Sequence, residues 1–100
     1  MTPRYAHRLD GPHSAIVQAL RQCGCAVLDL SRVGNGCPDL LVWRRDVAWL
    51  VEVKTGTVGK LTTEQRRFLE QWPGPVAVLR SVDEAVTWAV GARATGGARP

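Results

Sequence analysis

Residues 38–54 read PDLLVWRRDVAWLVEVK, and this stretch decides the fold. Two apolar runs of strand length flank a short charged turn, which predicts a β-hairpin. Asp39 stands at the beginning of the first run, and Glu52 and Lys54 stand at the end of the second. Burying carboxylates among valines and leucines is costly unless something compensates their charge. A divalent cation held by two carboxylates, with a lysine nearby, would compensate that charge and also support chemistry.

The register of the hairpin decides whether these three polar side chains meet. We centre the predicted turn on Asp46-Val47, which places Asp39 opposite Lys54. Glu52 lies two residues before Lys54 on the same face of its strand, one diagonal step from Asp39. A slip of one residue would turn Asp39 to the other face. The predicted register therefore gathers all three groups at one end of the hairpin.

Upstream of the hairpin, the pattern predicts one helix and one strand. Pro12 suits the first turn of a helix, and Gly24 is a typical helix stop. Residues 25–30 read as a strand, and residues 31–37 read as a loop with two glycines. The apolar residues at helical spacing between these signals are Ile16, Val17, Leu20 and Cys23.

Downstream of the hairpin, residues 55–60 are predicted to be a Gly-rich loop that leads into a second predicted helix. Thr62 and Gln65 have the spacing of a capping box, so the helix begins there and continues through Trp72. A capping role for Gln65 is compatible with a role in a site. The apolar face of this helix is expected to comprise Leu61, Gln65, Phe68, Leu69 and Trp72.

A last strand and helix complete the predicted fold. Residues 75–80 read as a strand, and Ser81 and Glu84 form a second capping box that opens a helix ending at Gly91. The element order is then α-β-β-β-α-β-α, an α/β fold with a mixed sheet. The side chains expected to point inward from the last helix are Ala85, Val86, Ala89 and Val90.

Composition and charge fit one small globular domain. A chain of 100 residues, 45% of them apolar, can bury a real core. Its net charge of +4 is compatible with solubility alone, and nucleic acid is the leading partner if the charge has a function. We expect residues 1–9 to be a flexible basic arm, residues 10–91 the domain and residues 92–100 a disordered tail.

Other classes of protein are disfavoured by what the chain lacks. No apolar run approaches the roughly 20 residues that span a bilayer, and residues 1–9 have no signal-peptide core, so we expect a cytoplasmic protein. Three cysteines, an odd number, argue against a disulfide framework, and Cys23-x-Cys25 does not have zinc spacing. No Ser/His/Asp or Cys/His nucleophile set is apparent.

The charged ends of the hairpin resemble a known nuclease signature. Pro38-Asp39, twelve intervening residues and then Glu52-Val53-Lys54 resemble the PD-(D/E)XK motif. The wider pattern is similar to the VRR-NUC domains of small stand-alone phage and bacterial proteins, over about residues 13–90. The flanking matches are Gly36-x-Pro38, Lys60-Leu61-Thr62-x-x-Gln65 and the segment Arg80 to Ala85. The predicted α-β-β-β-α-β core order is also that of the superfamily, whose fold is restriction-endonuclease-like.

This resemblance implies hydrolysis of DNA phosphodiester bonds with Mg²⁺ or Mn²⁺. It implies that Asp39 and Glu52 are metal ligands, joined by the backbone carbonyl of Val53. Lys54 would hold or activate the attacking water, or offset charge in the transition state, and Gln65 would orient water or phosphate. Two basic residues, Arg32 and Lys60, are the candidates for contact with the nucleic-acid backbone.

The chain departs from the family pattern in its first helix. Family members commonly carry a metal-site glutamate there, and Ala15 stands at the aligned position. No acidic residue occurs between Pro12 and Asp29, and Asp10 or His13 would have to substitute from the start of the helix. The departure argues against a two-metal site and favours weak or Mn²⁺-dependent activity.

The same residues allow several interpretations. The resemblance implies a branched, flapped or Holliday-junction substrate and a homodimer, because cutting two strands requires two sites in fixed relation. The alternative is a catalytically silent nuclease fold that binds DNA or a protein partner. In the plainest interpretation Asp39 is a turn residue, and Glu52 and Lys54 are an exposed charge pair. The four tryptophans are interpreted as core or interface residues rather than base-stacking platforms.

Overall fold

A computed structural model describes residues 11–54 and 60–91. The predicted basic arm, residues 55–59 of the Gly-rich loop and the predicted tail lie outside the described residues. The order α-β-β-β-α-β-α is confirmed, as is the mixed α/β fold class. The elements are α1 (Gly11–Gln22), β1 (Ala26–Asp29), β2 (Leu40–Arg44), β3 (Val47–Val53), α2 (Thr63–Gln71), β4 (Val76–Leu79) and α3 (Val82–Val90).

The four strands form one sheet in the order β1-β2-β3-β4. The β1–β2 and β2–β3 pairs are antiparallel and β4 is parallel to β3, so α2 is the crossover between β3 and β4. Helices α1 and α3 cover one face of the sheet, where the core lies. The buried core consists of Ile16, Val17, Leu20, Cys25, Leu40, Val42, Val51, Leu79, Ala85 and Ala89.

The hairpin turn lies one residue before the predicted turn, which shifts the pairing of β2 with β3 by two residues. Arg44 pairs with Val47, so the turn consists of Arg45 and Asp46 and not of Asp46 and Val47. Both turn residues have positive φ, 50° and 70°. A two-residue turn with two positive φ angles matches the right-handed twist of the strands. The turn lies one residue earlier than predicted because a β-branched residue such as Val47 rarely adopts a positive φ. The prediction that Asp39 faces Lys54 was therefore wrong.

The two-residue error preserves the face of every side chain. Leu40 pairs with Val51, so Asp39 lies one step further, at the level of Glu52. Leu40 and Val51 point into the core, and their neighbours Asp39 and Glu52 therefore point to the opposite face. The two carboxylates are brought closer together than the predicted register implied.

The last helix buries fewer residues than predicted. Ala85 and Ala89 are buried and allow α3 to approach α1, but Val86 and Val90 are 37% and 56% exposed. Both valines were predicted to point inward, and that prediction was wrong for them. Two alanines suffice for the contact because their small side chains let the helices pack closely. None of the described helices is long and apolar enough to cross a bilayer.

The tryptophans divide between the interior and the surface. Trp49 and Trp88 pack beside the core in an edge-to-face pair with ring centroids 5.3 Å apart. The Arg44 guanidinium lies 4.7 Å from the ring centroid of Trp88, within the range of a cation–π contact. Trp43 and Trp72 are half-exposed. The interpretation of the tryptophans as core residues therefore holds for Trp49 and Trp88 only.

Candidate active site

The backbone around Asp39 fixes its carboxylate at the beginning of β2. Its carbonyl oxygen accepts a hydrogen bond from the N–H of Leu30, at 2.7 Å, which holds it against the end of β1. Its side-chain Oδ2 accepts a hydrogen bond from the N–H of Val53, at 2.9 Å. Pro38, immediately before it, is fully buried. Asp39 is thus tied to both neighbouring strands and is more than a turn residue.

Glu52 is the one buried charged side chain among the residues that the structure describes, with 2% of its surface exposed. Its Oε2 accepts a hydrogen bond from Gln65 Nε2, at 2.8 Å, and lies 3.5 Å from Lys54 Nζ. Burial and the nearby charge of Asp39 raise the pKa of Glu52 to about 7, while Lys54 acts in the opposite direction. This environment excludes the interpretation of Glu52 and Lys54 as an exposed charge pair.

Gln65 reaches Glu52 from the first turn of α2. Thr62 is the N-cap of this helix, and its hydroxyl accepts a hydrogen bond from the Gln65 N–H, at 3.1 Å. Gln65 Oε1 in turn accepts one from the Thr62 N–H, at 2.9 Å, which completes the predicted capping box. The capping role and the site role of Gln65 therefore coexist in one side chain.

The loop before Asp39 packs directly on the same turn of α2. Gly36 has φ +80°, a conformation that favours glycine. A Cβ at this position would overlap the carbonyl group of Glu64, which lies in the first turn of α2. Glycine is therefore required here for close approach as well as for its dihedral angle. The contact holds the Asp39 loop beside the helix that carries Gln65.

The two carboxylates suit a hard divalent cation. Within residues 11–54 and 60–91, no third His, Cys, Asp or Glu side chain joins Asp39 and Glu52 in a group suited to a metal. The Val53 N–H points to Asp39, and in an extended strand its carbonyl oxygen lies on the same side. Two carboxylates, a carbonyl oxygen and waters form the ligand set that Mg²⁺ prefers. The raised pKa of Glu52 means that its environment disfavours the charged carboxylate, and a bound cation would compensate that charge.

The first helix adds no carboxylate to this site from its described part. Ala15, which stands where the resemblance expects an acidic residue, is exposed on α1. That helix packs on the core face of the sheet, opposite to the face of Asp39 and Glu52. His13 lies half-buried near the start of α1, and Asp10 lies outside the described residues.

Arg32 and Lys60 are the predicted nucleic-acid contacts, and Cys37 is a further neighbour of the two carboxylates. Arg32, in the loop between β1 and β2, and Lys60, before α2, are both exposed. Cys37 was missed as a neighbour of the site by the sequence reasoning. Burial and the charges of Glu52 and Asp39 raise the pKa of this half-buried thiol. The position of Cys37, two residues before Asp39, was the feature of the sequence that could have predicted this proximity.

The fold and the site together define a nuclease-type α/β core, with a carboxylate pair, a lysine and a glutamine at one end of a mixed sheet. The model of the VRR-NUC domain matches residues 6–83, and the chain belongs to this family. Membership implies a nuclease-type function with DNA as the substrate and is consistent with the PD-(D/E)XK superfamily. No curated protein and no solved structure matches the chain.

Proposed function

We propose that this protein is a metal-dependent deoxyribonuclease that hydrolyses phosphodiester bonds with Mg²⁺ or Mn²⁺. The supporting observation is the buried carboxylate of Glu52 beside Asp39, with Lys54 within 3.5 Å of Glu52. A buried carboxylate beside a second, half-buried carboxylate is unfavourable unless a cation compensates the two charges. The arrangement therefore favours a metal site over a purely structural role.

Each residue of the site has a separate role in the proposed hydrolysis. Asp39, Glu52 and the Val53 carbonyl would hold the cation, which neutralises the phosphodiester charge and lowers the pKa of a bound water. The ammonium group of Lys54 lies beside Glu52, on a side chain that is partly exposed. This position suits it to hold the attacking water or to stabilise charge that develops in the transition state. Gln65 donates to Glu52 and so acts through that carboxylate.

The preferred substrate in this proposal is branched or flapped DNA, including Holliday junctions, bound by a homodimer. Cleavage of two DNA strands requires two active sites, and a twofold dimer supplies them. Leu28 and Trp43, on the sheet face that carries Asp39, are 57% and 50% exposed and offer apolar surface to a second copy. Arg32 and Lys60 would contact phosphates. A sedimentation profile that stays monomeric at micromolar concentration would remove the dimer from the proposal.

A cleavage panel tests the enzymatic proposal. Junction, flap, duplex and single-stranded DNA and a single-stranded RNA are incubated with Mg²⁺ or Mn²⁺ and with wild type or Glu52→Gln. Loss of cleavage in Glu52→Gln supports the proposal, and wild-type cleavage by this variant contradicts it. Glu70→Gln is the matched control, because Glu70 is exposed on α2 and the same charge is removed. Its cleavage is expected to equal that of wild type.

One observation favours a second candidate function, a catalytically silent module that binds DNA or a protein partner. The described part of α1 contributes no carboxylate to the site, since Ala15 occupies the aligned position. Isothermal titration with Mn²⁺ separates the two candidates. A nuclease binds Mn²⁺ through Asp39 and Glu52, and both carboxamide variants abolish the heat of binding. A silent module gives no such heat with wild type.

A further inference from the structure

The amide of Gln65 joins two features that are usually independent, a helix cap and a buried acid. Its oxygen accepts from the backbone N–H of Thr62, at 2.9 Å, and its nitrogen donates to Glu52 Oε2, at 2.8 Å. A backbone N–H only donates, so it selects the oxygen end of the amide. The nitrogen end must then face Glu52. The cap thereby determines which end of the amide meets the acid.

The same bonds orient the carboxylate of Glu52. Gln65 Nε2 and Lys54 Nζ both approach its Oε2, at 2.8 and 3.5 Å. Because both donors meet one oxygen, the rotation of the carboxylate is restricted. A donor held by a rigid turn restricts this rotation more than a donor on a mobile side chain does.

The turn that holds Gln65 is fixed from two directions. The Thr62 hydroxyl accepts from the Gln65 N–H, at 3.1 Å, so the loss of this oxygen loosens the residue that carries the amide. On the other side, the Gly36 backbone lies against the Glu64 carbonyl group. The cap is therefore part of a chain of contacts that runs from the Asp39 loop, through the first turn of α2, to Glu52.

We propose that Thr62 is a positioning residue for the metal site, acting through Gln65 on the Glu52 carboxylate. The inference rests on the proposed metal-dependent function. The effect of Thr62 is transmitted by its two hydrogen bonds with Gln65, those of the capping box. Residues that orient metal ligands in this way typically change metal affinity about 10- to 100-fold when they are replaced.

The chain contains a matched cap that lacks this connection. Ser81 is the N-cap of α3, and its side chain accepts from the Glu84 N–H at 3.1 Å, the same length as the bond at Thr62. The Glu84 carboxylate accepts from the Arg80 N–H and not from Ser81, so the predicted reciprocal bond of this capping box is absent from the described structure. Ser81→Ala therefore removes a comparable cap without reaching Asp39 or Glu52.

The experiment measures Mn²⁺ affinity by isothermal titration, and thermal unfolding, for wild type, Thr62→Ala, Thr62→Ser and Ser81→Ala. Both alanine variants are expected to lower the unfolding temperature by similar amounts. Only Thr62→Ala is expected to weaken Mn²⁺ binding, by about 10-fold. Thr62→Ser keeps the hydroxyl and is expected to restore wild-type affinity. Equal Mn²⁺ affinity in Thr62→Ala and Ser81→Ala would overturn the proposal.

A double-mutant cycle tests whether Thr62 acts through Gln65. Gln65→Met removes the amide at nearly constant side-chain length, and it is expected to weaken Mn²⁺ binding at least as much as Thr62→Ala. If the cap acts only through this amide, Thr62→Ala adds no further loss in the Gln65→Met background. Losses that multiply in the double variant would contradict the proposed route. A wild-type protein that neither binds Mn²⁺ nor cleaves DNA would contradict both the proposed function and this inference. If wild type does both, the variants test the role of Thr62 alone.

Discussion

Asp39 Oδ2 accepts a hydrogen bond from the backbone N–H of Val53, at 2.9 Å, and so joins the beginning of β2 to the end of β3. This bond needs an oxygen but no charge, whereas a metal ligand needs the charge as well. Asp39→Asn separates these two roles, because its amide oxygen still accepts from Val53. We expect it to unfold within about 1 kcal/mol of wild type and to lose Mn²⁺ binding and cleavage. Asp39→Ala should lose both and be the less stable variant in urea unfolding; cleavage by Asp39→Asn at the wild-type rate would contradict the ligand assignment.

The acid Glu52 makes the stability of the metal-free protein depend on pH. Its pKa is raised from 4.5 to about 7 on folding, so the folded state binds the proton more tightly than the unfolded state. The resulting stabilisation is fully present below about pH 4.5 and is lost as the pH rises through about 7, with a total of about 3 kcal/mol. Urea unfolding of wild type and Glu52→Gln in EDTA across this range isolates the effect. The difference between the two proteins should change in favour of the glutamine variant with rising pH; a constant difference would contradict the raised pKa.

The ammonium group of Lys54 lies 3.5 Å from Glu52 and its side chain is 17% exposed. We expect Lys54→Gln to slow cleavage by about 10²-fold or more under saturating Mn²⁺, because it removes a charge placed near the reacting phosphate. Lys60→Gln is the matched control, since Lys60 is exposed and its proposed role is contact with DNA phosphates. Its effect should be confined to DNA affinity at low salt. Single-turnover cleavage and DNA-binding titrations measure both, and equal cleavage rates in the two variants would argue against a catalytic role for Lys54.

Two glycines in the loop before β2 allow backbone strain to be separated from close approach. Gly34 and Gly36 have similar positive φ angles, 76° and 80°. A Cβ at Gly34 meets nothing within 4 Å, whereas one at Gly36 overlaps the Glu64 carbonyl group. Gly34→Ala should therefore cost about 1 kcal/mol from its dihedral angle alone. Gly36→Ala should cost clearly more in urea unfolding and should also weaken Mn²⁺ binding, because it displaces the Asp39 loop from α2; equal unfolding free energies in the two variants would contradict the contact.

The hairpin turn offers a stabilising substitution far from the site. Asp46 has φ 70°, which is unfavourable for a residue with a Cβ and free of penalty for glycine. We expect Asp46→Gly to raise the unfolding free energy by about 0.5–1 kcal/mol and to leave cleavage unchanged. Val47→Gly, one residue later, is the control, since Val47 lies in β3 and glycine weakens a strand. A destabilised Asp46→Gly variant would contradict the observed turn.

The sequence alone determined the features that depend on neighbours along the chain. Helix-capping signals and the spacing of apolar residues predicted all three helices and all four strands. Such signals, for example the capping box of Thr62 and Gln65, extend over only a few residues of the chain. The spacing of Asp39, Glu52 and Lys54 predicted that they would converge, and the convergence survived a two-residue register error because such an error keeps the face of each strand.

Tertiary structure decided what depends on residues that are distant in the chain. Strand twist requires positive φ angles in the two-residue turn, which Arg45 and Asp46 adopt, and the burial of Ala85 but not Val86 follows from how closely α3 approaches α1. The hydrogen bond from Gln65 to Glu52 and the contact of Gly36 with Glu64 require three separate segments to meet. Local patterns carry no information on such distances, because close packing and desolvation arise only when the segments assemble.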